Sequence, residues 1–213
     1  MNMMNVRLQT SDTPHAGRAG LAAPVLLVLS GTVWGLWYFG MNWIGWGEPG
    51  SDAYARYETY NRIAPAVLLM LLASTQAVRR LLSGSYGRAG GFGSHLASAG
   101  LLLMAAGSAL EFWVFTETSY AKGSLRGLGW NTYCIGLPLF YAGTAALGFA
   151  LRRARGFAPA GALLMGWLPA GALLSLAGSL TGVGLPGLST AVALCGTAYV
   201  LMGWRLKAAP AAV

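Results

Sequence analysis

Six long apolar runs organise this chain, and none shows the strict alternation of a half-buried strand. They cover about 21–44, 63–78, 96–115, 133–151, 158–180 and 185–203. A helix crosses the hydrocarbon of a bilayer in roughly 20 residues, so each run matches one crossing. The second run is short, and Tyr60, Asn61 and Arg79 extend it by reaching for the two interfaces. The first run is too long for the apolar part of a signal peptide, and no small-x-small cleavage pattern follows it, so it is read as a retained helix. The pattern predicts an all-α membrane protein, a bundle of six transmembrane helices forming one domain over 21–205. A disordered polar segment, 1–20, precedes it and a short tail, 206–213, follows.

Composition sharpens this picture. Of 213 residues, 55% are hydrophobic and only 9% charged, far below the roughly 25% charge of a soluble domain. Such a chain cannot cover a water-facing surface, whereas lipid accepts apolar side chains all round a helix.

The net charge of +8 would suggest nucleic acid if the charges were clustered on one surface. They alternate between loops instead. Arg7, Arg18, Arg79, Arg80, Arg88, Arg152, Arg153, Arg155, Arg205 and Lys207 fall on one side of the predicted membrane. Arg56, Arg62, Lys122 and Arg126 fall on the other, with Glu48, Asp52, Glu58 and Glu117. Basic residues accumulate in cytoplasmic loops, so both termini are expected in the cytoplasm, and no nucleic-acid partner is needed to explain the charge. Only two of the 14 basic residues, Lys122 and Lys207, are lysines. That bias fits a GC-rich bacterial genome and hence a bacterial inner membrane.

The longest external connection, 45–60, carries Gly47, Pro49 and Gly50 as turn signals. Ser51 is placed to cap a short helix running to Tyr60. Tyr54 and Tyr57 would share one face of it, lying either on the membrane or over the bundle. Many aromatic residues gather at this same side: Trp43, Trp46, Tyr60, Trp113, Tyr120, Trp130 and Tyr133. They form either an interfacial belt or the lining of an outward pocket. The stretch 83–94, rich in Gly and Ser, is expected to be a flexible loop. Small residues at Gly31, Gly35, Gly171, Ser175, Gly178, Ser179, Ser189, Ala193, Gly196 and Thr197 mark the faces expected to pack inside the bundle.

Glu111 is the one acid inside a predicted span, about 6 Å from its outer boundary at 1.5 Å per residue. Helical spacing sets it on a small, partly polar stripe with Gly100, Met104, Gly107 and Ser108, so it is expected to face the interior. An ionised carboxyl there needs a partner or water. Arg62, at the start of the antiparallel neighbouring helix, is the expected partner, with Tyr38, Asn42 and Asn131 completing a polar cluster. The cluster is either a structural staple or a site for a ligand, ion or proton. His15 and His95 lack ligand-spaced partners, Cys134 and Cys195 form no metal or redox pattern, and no phosphate-binding loop occurs. No catalytic residue, metal or cofactor is therefore assigned.

Gly107-Ser-Ala-Leu-Glu111-Phe112-Trp113, with Tyr60-Asn61-Arg62, resembles a Gly-x-x-x-Glu-Phe-Trp pattern of bacterial six-helix integral membrane proteins without known activity. The resemblance covers about a third of the chain, 54–115, and implies no catalytic residue. By size and helix count alone, the chain is also similar to the substrate-binding subunits of energy-coupling-factor transporters. The expected function is binding or transport of a small solute or lipid through an outward-facing pocket near Glu111. The alternative is a non-catalytic accessory or scaffold subunit with a membrane-protein partner, and an intramembrane enzyme ranks last.

Overall fold

The computed structural model describes residues 16–44, 47–48, 50–82, 87–114, 124–154, 156–182 and 187–208. Among these, every regular element is helical: α1 (Ala16–Ile44), α2 (Asp52–Asn61), α3 (Ala64–Leu82), α4 (Gly87–Ala109), a π-helical turn (Leu110–Val114) continuing α4, α5 (Leu125–Arg152), α6 (Ala158–Thr181) and α7 (Gly187–Ala208). Six helical segments are long and apolar enough to cross a membrane, α2 and α3 together forming one of them. The outer faces fit that setting, since Leu36, Phe39, Leu173, Leu176 and Leu180 are all exposed. The protein is a multi-pass membrane protein.

Packing arranges the spans in a closed ring. Contacts run α1 to α3, α3 to α4, α4 to α5, α5 to α6, α6 to α7, and α7 back to α1. The short helix α2 lies at one end of the ring, against α1 and the π-turn.

Helices in lipid associate through close backbone approach, and α4 with α5 shows why this pair has the most extensive contact. Gly93, Gly100 and Gly107 on α4 face Gly143, Gly136 and Gly129 on α5. A Cβ on Gly107 would lie 2.6 Å from the Gly129 carbonyl oxygen. One on Gly136 would lie 2.6 Å from that of Gly100, and one on Gly143 2.7 Å from that of Gly93. The seven-residue spacing keeps one seam facing the partner over the whole length of the contact. Gly31 with Gly196 and Gly171 with Gly187 make equivalent approaches elsewhere in the ring.

Several boundaries differ from the sequence reading. The helix α1 begins at Ala16, inside the segment expected to be disordered, and α7 continues to Ala208, into the expected tail. Most of the expected flexible loop is helix, because α4 starts at Gly87; within that stretch Gly93 packs against α5, while Gly87 and Gly91 have open space around them. Ala193 and Thr197 face outward, and the inner face of α7 is Val192, Cys195, Gly196 and Tyr199. Nothing lies within 4 Å of a Cβ built on Gly35, so only the Gly31 half of that pair is a contact. Residues 1–15, 115–123 and 209–213 lie outside the described residues.

Candidate functional site

A cavity of about 380 Å³ opens at the α2 end of the ring. Its wall comes from α1 (Trp34, Trp37, Tyr38, Met41), α2 (Tyr57, Asn61), the end of α4 and the π-turn (Ser108, Glu111, Phe112), and α5 (Trp130, Tyr133, Cys134, Leu137). Trp167, Leu188 and Val192 complete it. Half of these side chains are aromatic. Among them Glu111 supplies the only carboxylate, and no Lys, Arg or His is present.

Local backbone geometry puts Glu111 there. It sits in the π-helical turn, buried with Phe112. A π-turn inserts one extra residue per turn and shifts the register of everything beyond it; such turns recur at functional sites. Here two consecutive side chains, Glu111 and Phe112, both reach the cavity wall. The ladder contributes as well: a Cβ on Gly129 would lie 2.8 Å from the Glu111 backbone nitrogen, so α5 passes directly beside the carboxyl-bearing turn.

The helix α2 closes over this end. Ser51 caps it as expected, its hydroxyl accepting from the Tyr54 N–H at 3.1 Å. Tyr54 and Tyr57 share a face, with ring centroids 6.3 Å apart, and both are buried in the protein. That resolves the two alternatives for this face in favour of the bundle. The Tyr60 hydroxyl donates to the Trp37 carbonyl at 3.0 Å and its ring packs against Gly40 of α1. Trp113 Nε1 donates to the Arg62 carbonyl at 2.7 Å, tying the π-turn to the α2–α3 junction. Asn61 is buried, with its amide donating to the Tyr57 carbonyl at 2.9 Å.

The expected polar cluster is brought together only in part. Glu111 and Tyr38 line the same cavity. The Arg62 side chain is exposed, and Asn131 is exposed on α5. Asn42 belongs to α1, and its side chain is outside the described set. The buried guanidinium of this region belongs instead to Arg126, which is fully buried. It lies 3.4 Å from the Glu58 carboxylate, with its guanidinium carbon 5.1 Å from the Tyr54 ring centroid and 5.9 Å from that of Phe112.

Sequence reading missed Arg126 because it placed the start of the fourth span near Tyr133. The helix starts at Leu125, capped by Ser124, whose hydroxyl accepts from the Gly127 N–H at 3.0 Å. The signal was present as a serine cap ahead of an apolar periodic segment containing Leu125, Leu128 and Gly129. A cation in the first helical turn opposes the helix dipole, and the Glu58 carboxylate offsets that.

Two wall residues stand out by their polar edges. The Nε1 atoms of Trp34 and Trp37 are buried and have no hydrogen-bond partner among the described residues. By contrast Trp167 Nε1 donates to Thr144 Oγ1 at 3.0 Å. Among the described residues no group of His, Cys, Asp and Glu is placed to hold a metal ion. Comparison with protein-family models, with curated proteins and with solved structures gives no match.

Proposed function

We propose that this protein binds, and moves or presents, a small solute or lipid headgroup through the cavity beside Glu111. On this reading it lies in a bacterial inner membrane with both termini in the cytoplasm and the α2 end facing outward. The observation that carries the proposal is the cavity itself, which holds a buried acid in its wall. A bundle that only needed packing would fill such a space, since each void forfeits contacts. Ionisable residues inside membranes mark ligand or ion sites more often than they mark packing. The cavity volume lies in the range of small-ligand sites, roughly 300–1,000 Å³. The orientation rests on the basic residues near Arg79, Arg152 and Arg205 at the opposite end.

Two measurements test it. A cysteine introduced as Arg153→Cys, with Cys134 and Cys195 replaced by Ala, should resist a membrane-impermeant maleimide in intact cells and react after permeabilisation. Reaction in intact cells would reverse the orientation. For binding, a solute panel should yield compounds that raise the melting temperature of the purified protein. That stabilisation should disappear in Glu111→Gln, and stabilisation that survives the change intact would remove this site from consideration.

A further inference from the structure

We infer that the cavity is entered sideways from the bilayer, through a split between α5 and α6, and that its ligand is a lipid whose hydrocarbon chain passes through that split. The inference rests on the binding role proposed above and names its ligand class and its route.

Toward the Arg152 end, α5 and α6 are closed on each other. A Cβ on Gly148 would lie 2.6 Å from the Gly161 carbonyl oxygen, and Tyr141 meets Trp167 edge to face with centroids 5.7 Å apart. Trp167 is fully buried and its indole is bonded to Thr144 of α5, so it makes a fixed floor. Toward the α2 end the two helices turn to different neighbours. On α5, Gly136 and Gly129 face Gly100 and Gly107 of α4, whereas on α6 Gly171 faces Gly187 and Ala191 of α7. Small residues mark where helices in lipid approach closely, and these approaches lead away from the α5–α6 boundary. The span α6 is the least buried of the six. Each helix also carries a proline where the two diverge, Pro138 and Pro169. A proline cannot donate to the carbonyl four residues back, and a helix bends readily there.

The cavity wall records the same break. The helix α6 supplies Trp167 and no described residue beyond it, so Trp130, Cys134 and Leu137 of α5 stand across from Leu188 and Val192 of α7. The exposed wall residues all lie on these two edges: Trp130 at 41%, Leu188 at 46%, and Cys134. On the far side Trp34, Trp37, Tyr38, Tyr57 and Phe112 are buried. The opening also lies at the depth of hydrocarbon. The 28 residues of α5 span about 42 Å, against about 30 Å of hydrocarbon. Centred on the bilayer, α5 extends about 6 Å beyond each face, so Cys134 lies about 8 Å below the surface. Ile135 beside it is exposed, as a lipid-facing side chain is. What borders the opening there is acyl chain. A hydrocarbon chain crosses such an edge without leaving its own medium, whereas a polar solute would shed its water to reach it.

The test uses the full-length protein in liposomes of phosphatidylethanolamine and phosphatidylglycerol. A phosphatidylcholine with a diazirine in one acyl chain, or a fatty acid with a diazirine in its chain, is added and photolysed, and adducts are mapped by mass spectrometry. At least one of the two should mark Trp167 and Val192, buried residues of the floor and wall, as well as the lipid-facing Leu173 and Leu180. Adducts on Leu173 and Leu180 with none on Trp167 or Val192, from both probes, would overturn the inference. Cys134→Trp fills the exposed edge, so it should remove the adducts on Trp167 and Val192 and leave those on Leu173 and Leu180. Ile135→Trp, at the neighbouring lipid-facing position, should leave both sets. Leu188→Trp narrows the split from α7 and takes the place of Cys134→Trp if that variant does not fold. Equal labelling of Trp167 and Val192 in the edge variants and in Ile135→Trp would put the entry elsewhere and overturn the route. A water-soluble aryl diazirine that marks Trp167 and Val192 where neither lipid probe does would make the cavity a solute site: the lipid inference falls and the binding role stands. The binding role itself is judged separately, by the Glu111→Gln thermal shift described above.

Discussion

The two ends of the bundle treat their buried polar groups differently. Towards the Arg79 end, hydroxyls and amides bond directly across helices. Ser74 donates to Ser30 at 2.7 Å, Thr75 and Tyr199 share a bond of 2.7 Å, and Gln76 donates to Ser98 at 2.6 Å. These bonds join α3 to α1, α7 and α4. Towards the Glu111 end, a carboxyl lines a cavity, two indole N–H groups lack partners among the described residues, and a fully buried guanidinium rests on aromatic rings. One end is built to hold still, with its polar groups used as staples. The other arranges aromatic rings and a buried carboxyl around a space, and leaves two indole donors without a partner among the described residues.

The largest effect is expected where both ends depend on the same seam. Gly100→Leu forces a side chain into the α5 backbone, and overpacking of this kind costs about 3 kcal/mol or more. It should abolish a monodisperse peak in size-exclusion chromatography. Gly35→Ala, with open space around it, should leave that peak unchanged. Arg126→Ala comes next. Removing one partner of a buried pair costs about 3–5 kcal/mol, so the thermal midpoint should fall well below that of the parent. A midpoint unchanged within error would mean that Arg126 is solvated rather than enclosed.

Smaller effects separate the two ends more finely. Ser74→Ala removes a staple, and hydrogen bonds between membrane helices are worth about 0.6–2 kcal/mol; denaturant titration should register a loss in that range. The tryptophans give the closest contrast. Trp167→Phe breaks the bond to Thr144 and should cost about 1 kcal/mol beyond the change in ring size. Trp37→Phe removes a donor that has no partner among the described residues, so its stability should fall less than that of Trp167→Phe. Equal losses at Trp37 and Trp167 would erase the distinction between the two ends.

The chain announces its spans because crossing hydrocarbon demands apolar length, a property visible without neighbours. The cap at Ser51 and the α2 helix were legible for a similar reason, since capping is local. The inward face of Glu111 was anticipated from a helical stripe, and Gly100 and Gly107 on that stripe proved to be rungs of the ladder. The full ladder was readable too, as glycines at 93, 100, 107 and 129, 136, 143, yet in a chain with 31 glycines the period is obscured. The π-turn was not legible. An inserted residue leaves no mark in a hydrophobic pattern, and it breaks the spacing rule from which the surroundings of Glu111 were inferred. The partner assignment failed at Arg62 because charged residues near a predicted boundary look alike in sequence. Only the true start of α5 shows that Arg126 is enclosed and Arg62 is exposed.

The glycine seam also limits how the molecule can move. Where two backbones touch with no side chains between them, there is no soft layer to shear, so α4 and α5 behave as one stiff keel. Any change in the size of the chamber then falls to the other wall elements, α1, the short cover α2, α6 and α7. The cover is tied to the keel through the Trp113 hydrogen bond to the Arg62 carbonyl, the Glu58–Arg126 ion pair and the rings around Arg126. Breathing of the chamber would therefore bend these walls and leave the keel where it stands.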